Sequence, residues 1–201
     1  DRFRQIQVAK KKPIKNDDDE APEEIDDDDY AFIQLSTDQK IFGKQVDLFV
    51  YTNIHPAIVQ FEGYAFYPHH MAVTKFYPNG SLQHMLKEVK ADKKSHPEWN
   101  GTMKSICVYG LVAAVNHLHN TLDEDKDDFS IRYLCPENII FDSQNQPRLI
   151  HYVFGEEDLG KTPPAYIPPE LYENPNGPRY DEDIWAIGMI LYEILTGNQP
   201  Y

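Results

Sequence analysis

Ile131-Arg132-Tyr133-Leu134-Cys135-Pro136-Glu137-Asn138-Ile139-Ile140-Phe141-Asp142 lies inside a loop-rich middle, residues 120 to 180, that holds most of the chain's prolines. Upstream of it, Asn100 or Thr102 can cap a long helix whose apolar positions Ile106, Leu111, Val115 and Leu118 recur at helical spacing. Ser81 can cap a shorter helix running to about Lys90, just after the turn Pro78-Asn79-Gly80. Before that turn come two β-rich stretches, 57–67 and 70–77, separated by Pro68. Earlier still, 38–52 reads as a helix on Ile41, Val46, Phe49 and Val50, with Gly43 as its flaw, and 4–10 alternates like a strand. Downstream, a helix from about Asp181 to Thr196 carries acids in its first turn and stops at Gly197. The pattern is α+β: a small β-rich portion followed by a larger helical one.

The chain has 201 residues, 41% of them hydrophobic, enough to bury a sizeable core. Its net charge of -14 is concentrated in two runs. Residues 17–29 contribute ten acids and no bases, and 121–128 contribute five acids against Lys126, so the rest is neutral. Both runs read as solvated loops, because like charges repel and almost nothing in them is apolar. No nucleic-acid surface is favoured by this balance. Cys107 and Cys135 cannot form a disulfide framework, Cys107 falling on the apolar pattern of its helix. No signal-peptide run opens the sequence, and the longest apolar stretch, Ile184 to Leu195, contains Glu193, so neither secretion nor a membrane span is expected and the cytoplasm is the expected compartment. His69-His70 and His117-x-His119 lack the spacing that puts two imidazoles on one helix face; they read as solvated or capping histidines rather than metal ligands.

Five segments, Ile54–Val59, Phe76–Leu82, Pro136–Asp142, Tyr166–Glu170 and Asp183–Gly188, taken in this order resemble a eukaryotic protein kinase domain of the tyrosine-kinase-like sort. Ile54-His55-Pro56-Ala57-Ile58-Val59 is similar to the family's entry to its fourth strand. Phe76 to Leu82 resembles the hinge and the start of helix D, and Pro136 to Asp142 the end of the catalytic loop. Tyr166-Ile167-Pro168-Pro169-Glu170 resembles the end of the activation segment, and Asp183 to Gly188 the start of helix F. The resemblance implies a two-lobe fold, with 1–77 as a partial N-lobe bearing the insertion 17–29 and 78–201 as a partial C-lobe bearing the insertion 121–128. On this reading the chain ends after helix F.

Phosphoryl transfer needs a cover over the phosphates, a lysine paired to a glutamate, a base for the acceptor hydroxyl, and oxygen ligands for magnesium. With the sequence beginning at Asp1, the glycine-rich loop is expected to be absent. By resemblance the lysine maps onto Lys11, with Lys10 as an alternative register, on a strand that the acidic insertion would join to helix C. Val46 stands where the helix C glutamate belongs, and Asp47, one position on, is turned by about 100° around the helix. In the catalytic loop Tyr133 occupies the base position, and a phenol with a pKa of about 10 stays protonated at neutral pH. Cys135 replaces the lysine that would face the phosphate; with Arg132 the one cation expected near it, it reads as inert. His151 falls at the metal aspartate, and a two-residue insertion would substitute Val153-Phe154-Gly155; neither register supplies a carboxylate. Arg132 and Asn138 are retained.

The resemblance leaves Thr74, Lys75, Phe76 and Tyr77 as a vestigial nucleotide cleft, with ATP binding weak and independent of magnesium. It gives Glu170 and Asp183 structural roles, Asp183 accepting backbone hydrogen bonds from the catalytic loop. The implied function is a pseudokinase, a binding or allosteric module with a protein partner. An active Ser/Thr kinase drawing on Asp127, Asp128 or Asp142, with elements outside this chain, is the alternative, and a degenerate fragment is the third reading. The helix 181–196 is apolar on nearly every face, the pattern of an element buried all round, and is expected to self-associate or bind a partner where it is uncovered.

Overall fold

The computed structural model describes residues 6–10, 29–66, 69–122, 131, 134–150, 163–173 and 180–201. They fall into two compact units: the described residues of Asp1–Val46 with Gln60–Phe76, and those of Asp47–Val59 with Tyr77–Tyr201.

The first unit is built on an antiparallel sheet of β1 (Ile6–Lys10), β2 (Asp29–Gln34), β3 (Phe61–Ala65) and β4 (Met71–Lys75), in spatial order β1-β2-β4-β3. β2 pairs with β1 through Ile6↔Ile33 to Lys10↔Asp29, and with β4 through Tyr30↔Lys75 to Gln34↔Met71. Along β2 and the residue after it, Ala31, Ile33 and Leu35 are buried while Phe32 is half-buried, the two-residue period of a strand with one covered face. β2 departs from the sequence expectation, in which the acidic loop runs to Asp29 and no strand stands between it and the helix 38–52. The physical signal was present in Tyr30 to Leu35, a short aromatic and aliphatic run.

Two corrections follow. The strand that leads directly into helix α1 (Gln39–Thr52) is β2, so the acidic run, apart from Asp29, belongs to the connection between β1 and β2 and not to a strand-to-helix link. The lysine expected on that strand is therefore misplaced at Lys11: β2 reads Asp29-Tyr30-Ala31-Phe32-Ile33-Gln34 and has no cationic side chain. Lys11 itself lies outside the described residues.

α1 starts at Asp38, whose Oδ1 accepts from the backbone N–H of Lys40 (2.8 Å) and of Ile41 (3.1 Å). Of its expected apolar positions Val46 and Phe49 are buried, whereas Val50 is exposed. Phe42 is buried in an aromatic cluster with Tyr64, Phe66 and His70.

The second unit carries α2 (Leu82–Ala91), α3 (Gly101–Leu122), the hairpin β5 (Ile139–Phe141) and β6 (Pro147–Leu149), α4 (Pro169–Glu173) and α5 (Tyr180–Thr196). Ser81 caps α2, its Oγ accepting from the His84 N–H at 3.2 Å. Of the two candidate caps for α3, Asn100 is the one used: its Oδ1 accepts from Thr102 N (2.9 Å) and Met103 N (3.1 Å). α3 buries Cys107, Leu111, Ala114, Val115 and Leu118, the i, i+4, i+7, i+8, i+11 face of one helix side. Gly110 lies on that side because β6 comes too close for a side chain: a Cβ there would sit 2.4 Å from the Pro147 ring. The hairpin turn is held by Asp142, whose Oδ1 accepts from Gln144 N and Gln146 N while Oδ2 takes Arg148 Nη2 at 2.8 Å. These elements lie inside the stretch read from sequence as loop.

α5 ends at Gly197, at φ +72°, with its N–H on the Glu193 carbonyl. It is not buried all round. Ala186, Ile190 and Ile194 are buried, whereas Ile184 and Leu195 are 61% and 67% exposed.

Candidate functional site

The described part of the catalytic-loop segment is positioned from α3 and α5. Asp183, 1% exposed in the first turns of α5, accepts the Ile131 N–H with both carboxylate oxygens, at 3.1 and 2.9 Å. Its Oδ2 also takes the Nε2–H of His119, 2.7 Å away near the end of α3. A buried carboxylate survives only when such donors replace its water. The consequence is mechanical: the loop's first residue is tied to two helices.

The segment's other end is equally fixed. Pro136-Glu137-Asn138 form a 3-10 turn with Pro136 at its start, closed by Asn138 N to the Cys135 carbonyl at 3.0 Å. Ile150 N then donates to the Asn138 carbonyl at 2.8 Å, binding the turn to the strand end after β6. Ile131, Leu134, Cys135 and Asn138 are all buried. Burial removes Cys135 from solvent, in keeping with its reading as inert.

Tyr166, in the 3-10 turn Pro164–Tyr166, donates its hydroxyl to Glu193 Oε1, and both side chains are buried. Burial raises the phenol further above its ordinary range, helped by the hydrogen bond and charge of Glu193. Burial likewise raises Glu193, with the Tyr166 hydrogen bond acting in the opposite sense. Trp185 Nε1 donates to the Ala165 carbonyl at 3.2 Å, so α5 holds this turn twice.

Thr74, Lys75 and Phe76 belong to the first unit. Thr74 is 1% exposed in the centre of the sheet, paired with Ala31 of β2; Lys75 and Phe76 are half-buried. Tyr77 belongs to the second unit, where it is buried and the Arg148 guanidinium lies 5.7 Å from its ring centre. Val46, matched by resemblance to the helix C glutamate, is buried, whereas Asp47 is exposed. Glu170 lies in the first turn of α4 and is exposed. Arg132, Tyr133, His151, Val153, Phe154, Gly155, Asp127 and Asp128 lie outside the described residues.

The structure thus brings Asp183 to Ile131 and His119 and, at a separate place further along α5, Glu193 to Tyr166; sequence reasoning gave neither His119 nor Glu193 a part in the site. His119 is a correction: it is neither solvated nor a cap but a partner of a buried carboxylate. Its neighbour His117 stacks on His55, ring centres 4.7 Å apart, with its Nε2 buried and unpartnered among the described residues. Metal-ligand spacing concerns histidines that share one helix face, whereas the partner of His119 is 64 residues away in sequence.

Residues 32–201 match the family described as protein kinase domain, and the chain belongs to that family. It is similar to the serine/threonine-protein kinase RUNKEL of Arabidopsis thaliana, 31% identical over 73% of this chain and 10% of that protein. It is 27% identical, over 73% of this chain and 15% of the relative, to an Arabidopsis thaliana protein named "Probably inactive leucine-rich repeat receptor-like protein kinase". With an Aurora kinase of Debaryomyces hansenii it shares 26% identity over 74% of this chain and 35% of that protein. The chain therefore spans between about a tenth and a third of these relatives' lengths. Among the described residues no helix is long and apolar enough to cross a membrane.

Proposed function

We propose that this chain is a kinase-fold module without phosphotransferase activity, which works in the cytoplasm by binding a protein partner. One observation carries the reading. The loop is tied down at Ile131 by Asp183 and His119, and again at the Pro136–Asn138 turn, which supports a gap-free register in which Tyr133 occupies the base position. A phenol there does not accept the acceptor's proton at neutral pH. Further support comes from β2, which offers no lysine, and from Val46, which offers no carboxylate. Nucleotide, on this reading, binds weakly and without magnesium dependence, because His151 supplies no hard oxygen ligand.

The names of two relatives, a Ser/Thr kinase and an Aurora kinase, favour the second reading, an active Ser/Thr kinase. Of the carboxylates it would draw on, Asp142 is already committed to Gln144, Gln146 and Arg148 in the β5–β6 turn. The test is transfer of labelled γ-phosphate to the chain itself and to a generic acceptor, with Mg²⁺ and with Mn²⁺. We expect no transfer above a boiled control. Metal-dependent transfer that disappears in Asn138→Ala would establish the active-kinase reading instead.

A further inference from the structure

The link between α1 and β3, residues 53–60, is fastened at two points that differ in chemistry. Its far half is held by main chain: Val59 N donates to the Leu149 carbonyl at 3.0 Å, and Leu149 N to the Ala57 carbonyl at 2.8 Å, so β6 carries it. Its near half is held by an imidazole. His55 stacks on His117 of α3, ring centres 4.7 Å apart, and its Nδ1 lies 3.2 Å from the backbone nitrogen of Ala57. A main-chain N–H can only donate, so Nδ1 is the bare nitrogen of a neutral ring and the proton sits on Nε2.

These contacts suit two uncharged rings. A proton on His55 Nδ1 would set one donor against another, removing the Ala57 hydrogen bond and adding repulsion. Nε2 of His117 is buried with no hydrogen-bond partner among the described residues, so a cation on that ring would have neither water nor an acceptor there. The charged groups around the pair offer no compensation. From β6 the Arg148 guanidinium donates to the carbonyl of Pro56, the next residue along, and so brings a positive charge to the same link. α1 ends in the neutral Thr52, whose hydroxyl donates to the Leu48 carbonyl. Among the described residues the histidines with a carboxylate partner are His96 and His119, not His55 or His117. Burial and the neighbouring ring accordingly hold His55 below its ordinary 6.5.

We propose that the His55–His117 pair is a proton-operated latch: uptake of a proton from solvent frees His55 and the Ala57 N–H from their partners, while the main-chain bonds to β6 keep Val59 and the Ala57 carbonyl in place. The opening is local, and it removes the tether between the end of α1 and α3. Histidine is the side chain whose charge changes between about pH 5 and pH 8, so the latch responds to mild acidification. The assignment is independent of the nucleotide reading: phosphate transfer, if found, would leave it standing.

Hydrogen exchange of the full chain, followed amide by amide by NMR and corrected for the intrinsic pH dependence of exchange, tests the latch. Between about pH 7.5 and about pH 5.5 the protection of the Ala57 amide should fall about tenfold or more, while that of Val59 and Leu149 stays within about twofold. In His55→Gln, whose side chain does not titrate, Ala57 protection should be equal at both ends of that range. His117→Phe keeps a ring against His55 but removes the neighbouring imidazole, so the fall should begin at a higher pH; this variant decides the matter if His55→Gln fails to fold. Unchanged Ala57 protection in the native chain, a fall that persists in His55→Gln, or an unmoved midpoint in His117→Phe would each overturn the proposal. So would a parallel loss at Val59 and Leu149, which would mean general unfolding instead of a latch.

Discussion

Asp183 shows how much of the loop's geometry rests on one carboxylate. Removing it in Asp183→Ala leaves the Ile131 N–H and the His119 ring without their shared acceptor in a buried setting. The expected loss is about 3 kcal/mol or more, read as a lowered urea midpoint with an unchanged slope. His119→Ala, which leaves the backbone donor satisfied, should cost about 1–2 kcal/mol. Equal stability of both variants and the native chain would show that the anchor carries no energy. Gly110 gives a second residue-scale prediction. Gly110→Ala drives a methyl into the Pro147 ring, 2.4 Å away, and should destabilise by about 1–3 kcal/mol, whereas Gly43→Ala, with nothing within 4 Å in the middle of α1, should be neutral or stabilising by up to about 1 kcal/mol. Thermal midpoints of the two variants, measured side by side, check the contrast.

Among the elements, the link between α1 and β3 is tied to α3 through the stacked pair His55 and His117. Burial, with the neighbouring His117, holds His55 below its ordinary value of 6.5. The unfolded chain therefore takes up a proton near pH 6.5 that the folded chain resists, so this contribution is present above 6.5 and is lost as pH falls below it. Glu193 acts oppositely: raised above 4.5 in the folded state, it adds stability as pH falls. The discriminating measurement is the difference between the native chain and His55→Gln. Between pH 7.5 and 5.5 the native melting temperature should drop more than that of the variant; parallel curves would exclude the histidine pair as the cause. In more acid solution the β5–β6 turn should weaken. Burial alone would raise Asp142, but the hydrogen bonds from Arg148, Gln146 and Gln144 outweigh it and hold the carboxyl below 3.8, so its contribution is lost as pH falls through that lower folded value.

For the whole molecule, α5 sets the expectation about association. Ile184 and Leu195 are exposed, Ile187 and Leu191 are half-buried between them, and Tyr192 is 46% exposed. These positions recur at i, i+3, i+7, i+8 and i+11, a stripe along one side of the helix. The chain should therefore bind a dye specific for apolar surface and elute from gel filtration ahead of the monomer position. Ile184→Glu should reduce both signals without lowering the melting temperature, because the side chain it replaces is already mostly in water. A monodisperse monomer with no dye signal would count against the stripe as an association surface.

What the chain's own order of residues determined is the family and most of the helices. The motifs that identify the family are short and contiguous, and caps such as Ser81 and Asn100 act within three residues of themselves, so their physics is local. The proposed departures at Val46, Tyr133, Cys135 and His151 rest on the same local comparison, residue identities set against the family's motifs. Tertiary structure decided everything that depends on a partner far along the chain. It placed β2 between β1 and β4, which moved the acidic run out of the strand-to-helix link and removed Lys11 from the lysine strand. It brought His119 to Asp183 and Pro147 onto Gly110, and it chose which faces of α5 are covered. Periodicity tells which side chains share a face, but it does not tell what that face will meet, because the partner is selected by packing across the whole fold.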